Sequence, residues 1–349
     1  MLLKYVMQCK FFWILSGMMR SCKDVMTERC LLPWVTHRWN PVFLRLWPGI
    51  EHDIDREIQA KFDSLKGKKL GLMLSGGMDS ACLASYMPGA DAYTFRFIGG
   101  EYEYSELKRA EYFAEYYGLH LHYVEINWKT VTENLDILMN HKGAPLHSIE
   151  PQIYQAALQA ESDGVEEMII GDGADCVFGG TDKLLSKDWK YEEFKKRYTY
   201  VDPEAVLVDP VDIDFAYKKY RQGEDGINFI GFLADYSDIE SYASYENAFS
   251  AAGMVYTDPY EILKMDEPLD LKRIRNGESK YLIRALFKMK YPGVPIPEKN
   301  PMPRPVDQYF KNWKGPTRPE FKPNLSIEGF TGNQKWLLWC LECFLNNHE

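Results

Sequence analysis

The 349-residue sequence has no run of about 20 apolar residues, so no segment reads as a membrane-spanning helix. The apolar stretch Phe11-Phe12-Trp13-Ile14-Leu15, between Lys10 and Arg20, is short, and no small-residue cleavage site follows it. A packed helix is expected there, and a cytoplasmic location for the chain. A disulfide framework is also missing. The seven cysteines, at 9, 22, 30, 82, 176, 340 and 343, form an odd and scattered set that fits a reducing compartment. Cys340 and Cys343 make a lone C-x-x-C inside the apolar run at residues 336–344. Two small buried side chains on a helix explain that spacing more simply than a zinc or redox pair. Positive charge is scarce, with 41 Lys and Arg against 51 Asp and Glu and a net charge of -10. No Lys/Arg stripe interleaved with aromatics offsets this, so nucleic acid is not an expected partner. The Gly-Lys-Ser/Thr ending of a Walker loop is absent, as are repeats and low-complexity linkers.

Apolar residues make up 46% of the chain, enough for a sizeable core. Residues 1–55 are rich in Trp, Met and Cys without a clear period and read as an appendage of unknown role. They end in the turn signal Arg45-Leu46-Trp47-Pro48-Gly49, before a polar helix at 52–65. Regular alternation follows, with strands at 69–74, 92–97, 120–126 and 167–170. Helices are expected at 80–87, 105–117, 128–141 and 151–161, the second closed by Gly118. This pattern predicts an α/β core over 56–185, a parallel sheet with helices on both faces. Residues 186–349 read as a mainly helical region, Tyr-rich at first and then Pro-rich from 292 to 323.

Ser75-Gly76-Gly77-Met78-Asp79-Ser80 lies between a buried strand and a helix. Two glycines let the backbone approach phosphate oxygens, and a helix N-terminus offers free N–H groups. Ser75 and Ser80 add hydroxyls. Asp79 would repel phosphate unless a divalent cation lay between them, which points to Mg²⁺. The plainer alternative is a tight turn with Asp79 and Ser80 as helix-start residues. Gly171-Asp172-Gly173-Ala174-Asp175 ends the fourth strand. The C-terminal ends of parallel strands share one edge, so the second loop is expected beside the first, with Asp175 within reach of the same cation. The alternative here is a solvated Gly-rich turn.

The residue 75–80 loop resembles the pyrophosphatase loop of N-type ATP pyrophosphatases. Residues 171–180 resemble the G-E-G-A-D-E-x-F-G-G segment of the asparagine synthetase family, which includes the β-lactam and carbapenam synthetases. Ser105-Glu106 resembles that family's acidic helix start after strand two, and Lys280-Tyr281-Leu282-Ile283-Arg284 resembles its K-x-x-L-R stretch. The likeness covers roughly residues 60–310. It implies an adenine nucleotide α-hydrolase-like fold and ATP·Mg²⁺-dependent adenylylation of a small or peptidic carboxylate, followed by attack of nitrogen. By resemblance, Ser75, Gly76, Gly77, Asp79 and Ser80 hold pyrophosphate, and Asp79 with Asp175 hold Mg²⁺. Leu74 and Phe97 pack adenine, and Gly171, Asp172 and Gly173 belong to the nucleotide side. Lys299 corresponds to the family's late catalytic lysine, although a lone Lys in a Pro-rich loop is also consistent with simple solvation. A homodimer is compatible with the family.

The departures concern the acceptor. Residue 2 is Leu, and some 60 residues ahead of the loop are too few for the family's glutaminase domain. Nitrogen is therefore expected as free ammonia, as an amine on the substrate, or from a separate amidotransferase. Cys176 replaces the second acid of A-D-E and reads as a small semi-buried side chain or a reactive thiol. Thr181 stands where an aromatic residue is usual. Residues 252–260 resemble G-x-E-x-R-x-P-F, with Val255 at the acid and Thr257 at the arginine. Tyr256, in the same stretch, is a candidate proton carrier for the attacking amine. Asparagine is not the expected product. Two other readings of the loops are a non-catalytic ATP- or partner-binding homologue and an RNA-modifying enzyme of the same loop class.

Overall fold

A computed structural model describes residues 42–347 except Glu103 and Pro301, with side chains omitted at Asp182 and at residues 237–241. The apolar stretch at 11–15 and Cys9, Cys22 and Cys30 lie outside the described residues. β1 (Val42–Leu44) leads into α1 (Ile50–Ser64), then β2 (Leu70–Met73), α2 (Met78–Ala84), β3 (Asp91–Phe97) and α3 (Ser105–Tyr117). β4 (His120–Ile126) follows, then α4 (Trp128–Glu133), α5 (Leu135–Lys142), α6 (Glu150–Ser162), β5 (Glu167–Ile169) and α7 (Gly173–Val177). The helix expected at 128–141 is thus two helices, meeting at Asn134.

Beyond α7 the chain is mostly helical. A small antiparallel pair, β6 (Arg221–Gln222) with β7 (Gly226–Ile227), precedes the 23-residue α8 (Phe229–Ala251). Then come β8 (Val255–Thr257), β9 (Leu263–Met265), α9 (Tyr281–Lys290) and the C-terminal α10 (Gly332–Asn347). β9 pairs in parallel with β1, which ties the beginning of the described chain to its later region.

The main sheet has five strands in the order β4-β3-β2-β5-β8, all parallel. Side chains alternate across it. Leu72, Leu74, Ala92 and Ile169 face a core shared with Ile54 and Ile58 of α1, Phe113 of α3 and Ile283 of α9. Tyr93, Val124, Met168 and Ile170 face the opposite core, with α4, α5, α6, α8 and α10. Burial on both faces explains why these strands read as near-continuous apolar runs. Cys340 lies in α10, where its Sγ accepts from Leu146 N–H at 3.1 Å, and burial pushes its thiol up. Cys340 and Cys343 are free thiols that pack the helix. No helix among the described residues is long and apolar enough to cross a membrane.

Candidate active site

Connections leave β2 and β5 toward opposite sides of the sheet, and a crevice opens where the strand order reverses, at their C-terminal ends. The two loops singled out in the sequence leave these two strands. In the first, the serines brace the turn from within. Ser75 N–H donates to Ser80 Oγ at 3.1 Å, the two hydroxyls lie 3.0 Å apart, and Gly77 N–H donates to Ser75 Oγ at 3.1 Å. From outside, α3 grips Gly76. Arg109 Nε donates to Gly76 O at 3.0 Å, and the Glu106 side chain packs against Gly76. A Cβ at position 76 would lie 2.4 Å from Glu106 O, so only glycine fits there. The following helix is anchored by two phenols. Tyr260 donates to Asp79 O at 2.9 Å and Tyr291 to Ala81 O at 2.8 Å.

Asp79 and Asp175 converge on one ammonium group. Lys280 Nζ is 2.5 Å from Asp79 Oδ2 and 2.6 Å from Asp175 Oδ1. Lys280 is the N-cap of α9 and sits at φ 52°, ψ 41°, a left-handed conformation that is unfavourable for a residue with a Cβ. Lys299 Nζ lies 3.1 and 3.3 Å from the two oxygens of Asp175 and also donates to Gly180 O. Burial raises the Asp79 pKa, against the pull of Lys280, with Asp175 adding to the rise. Burial also opposes ionisation of Asp175, but Lys280 and Lys299 hold it below the ordinary carboxylate range. Lys280 is driven up, because the two carboxylates outweigh its desolvation.

This donor set fits Mg²⁺. Among the described residues no group of three or more His, Cys, Asp or Glu could hold a metal alone. Mg²⁺ arriving with a nucleotide needs only one or two carboxylates, the remaining ligands being phosphate oxygens and water. Asp79 Oδ1 is buried without a hydrogen-bond partner and so is an acceptor open to a cation.

Leu74, Ser75, Asp79, Ser80, Phe97, Gly171, Asp172 and Asp175 all line one cleft, together with Tyr102, Tyr104, Glu106, Tyr245, Asn300 and Met302. Five expected residues, Gly76, Gly77, Gly173, Tyr256 and Lys299, are not among its walls. Gly173 N–H is taken by Asp258 Oδ2 at 2.6 Å. Tyr256 turns to α8, where its ring stacks on Phe249 at 5.1 Å and its hydroxyl donates to Glu246 at 3.2 Å. Val255 is 53% exposed, and the Thr257 hydroxyl donates to Glu167 at 2.6 Å. Lys280, Glu106 and Arg109 carry more of the geometry than their sequence positions revealed. For Lys280 the K-x-x-L-R stretch was the available signal.

The asparagine synthase family model matches residues 65–246, just over half of the chain. This chain belongs to the asparagine synthase family. The matched span contains both loops, Glu106 and Tyr245, and ends ahead of Lys280 and Lys299. Membership assigns an ATP-using synthetase type of activity, since this is generally a family of ATP-dependent ligases. No curated protein matches the chain significantly. Among solved structures, it is similar to a predicted subunit of tRNA methyltransferase from Methanocaldococcus jannaschii. That chain is 13% identical, with 63% of this chain and 86% of the other covered and a TM-score of 0.24, and nothing about activity follows from it.

Proposed function

We propose that this asparagine synthase family member activates a carboxylate with ATP, releasing pyrophosphate and leaving an acyl-adenylate for ammonia or an amine to attack. The observation that carries this reading is the meeting of Asp79 and Asp175, from loops on adjacent strands, with Asp79 Oδ1 left unpartnered. Residues 75–80 cradle the departing pyrophosphate, and Leu74 and Phe97 flank adenine. Asp79 and Asp175 hold Mg²⁺, which neutralises charge on the phosphate oxygens. Lys299 and Lys280 offset the negative charge that builds as pyrophosphate leaves.

The acceptor side differs from the pattern expected of an asparagine producer. Val255 and Thr257 supply neither the acid nor the arginine of that pattern, so the nitrogen nucleophile is recognised by other groups. The test should therefore not require a nucleophile. Carboxylate-dependent exchange of labelled pyrophosphate into ATP reports the activation step by itself. Exchange with at least one member of a carboxylate panel, lowered about 10²-fold or more by Asp79→Asn, is the expected result. Tight ATP binding with no exchange across the panel would leave a nucleotide-binding protein without this activity.

A further inference from the structure

One short segment after β8 holds both aspartate loops. β8 runs parallel to β5, with Thr257 opposite Ile169, so the next residue emerges at the C-terminal end of the sheet, where the β5 loop begins. That residue is Asp258, which is only 3% exposed. Its Oδ2 accepts from Gly173 N–H at 2.6 Å and from the Tyr242 hydroxyl at 2.9 Å, and its Oδ1 accepts from Tyr260 N–H at 2.9 Å. Gly173 opens α7, whose first turn carries Asp175. Two residues beyond Asp258, the Tyr260 hydroxyl donates to Asp79 O at 2.9 Å. Pro259 lies between the two and restricts the backbone.

A cation shared by Asp79 and Asp175 needs a fixed distance between them, because Mg²⁺ tolerates little departure from octahedral geometry. The second loop sits directly on its support. A Cβ on Gly173 would lie 2.5 Å from Tyr242 Oη and 3.2 Å from Asp258 Oδ2. We propose that Asp258 is a positioning residue for the cation site, holding the Asp175 loop at the distance from Asp79 that one Mg²⁺ can bridge. It is not a wall of the cleft and acts through Gly173 and Tyr260. This rests on the Mg·ATP reading above and extends it to what sets the metal requirement. The stretch at 252–260 has no acid at 255, but the acid at 258 is aimed at the metal loop. An amide at 258 would turn its NH₂ toward one of the two backbone N–H groups, and that side of the clamp would be lost.

Isothermal titration of the full chain with ATP, repeated over a series of fixed Mg²⁺ concentrations, gives the Mg²⁺ level at which ATP affinity is half-maximal. Asp258→Asn should raise that level about tenfold or more, the range for groups that orient metal ligands from behind. Thr257→Val removes a buried hydrogen bond to Glu167 from the same strand and controls for lost stability; its Mg²⁺ level should match wild type. Tyr242→Phe keeps the carboxylate but removes one donor. It should raise the level about threefold and serves if the asparagine variant does not fold. No rise in the folded variant, or an equal rise in Thr257→Val, would overturn the proposal. Wild type that binds no ATP, or binds it equally well without Mg²⁺, would instead overturn the reading beneath it.

Discussion

Lys280 combines an unfavourable backbone conformation with an ammonium group that is only 6% exposed. Its contacts with Asp79 and Asp175 offset both. Removing the ammonium leaves two carboxylates facing each other without their shared counter-charge. Lys280→Ala should therefore lose about 3 kcal/mol of stability by urea denaturation, the low end for a broken buried pair because Asp175 is 37% exposed. Mg²⁺ should restore more stability to this variant than it adds to wild type, since a divalent cation takes the vacated position. Equal Mg²⁺ effects on the two proteins would mean that the aspartates are not a cation site. Asp79 and Asp175 were legible in the sequence because each sits at a strand end in a glycine-rich loop. Lys280 was marked only by the likeness of residues 280–284 to a family stretch, and its pairing was not legible, because its partner Asp79 is 201 residues away and only the fold brings them together. Tyr256 shows the converse. Its place in a motif-like stretch made it a candidate, but a strand alternates its side chains, and this one points toward Phe249 and Glu246.

Helices α5, α6 and α8 are joined by a buried polar network. Glu150, at 0% exposure, accepts from Lys142 at 2.5 Å, from His147 N–H at 2.6 Å and from Asn247 at 2.7 Å. His141 Nδ1 lies 2.9 Å from Asn247 Oδ1. Glu150→Ala is expected to cost about 3–5 kcal/mol, read from the denaturation midpoint, because it strands a nearly buried lysine. The network anchors α8, which supplies Tyr245 to the cleft, so nucleotide affinity should fall with stability in this variant. Gly76→Ala tests the phosphate loop in the same way. Its new methyl meets Glu106 O at 2.4 Å, and overpacking should cost about 1–3 kcal/mol while weakening ATP binding.

Elements between residues 69 and 170 were readable because strands covered on both faces must be apolar and the helices between them need one apolar side. β8 escaped, being three residues long and recognisable only through its pairing with β5. The break at Asn134 also escaped, since the apolar spacing runs on through it.

On the scale of the whole molecule, one sheet edge gathers groups from distant parts of the chain. Loops after β2 and β5 bring the acids, α3 braces the first loop, and the later helical region returns Lys280 and Lys299 to the same point. A ligand that binds this crevice should stabilise the entire fold. Mg·ATP at 100 times its Kd should add about 2.7 kcal/mol, visible as a raised Tm that disappears in Asp79→Asn. The net charge of -10 keeps the chain from attracting polyanions generally, so affinity for ATP must come from this local set of groups and the cation. The central claim is the position at which ATP is cleaved, and phosphorus NMR of the reaction products reads that directly. With Mg²⁺, ATP and an accepted carboxylate, the account predicts AMP and pyrophosphate in equal amounts; ADP with inorganic phosphate would contradict it.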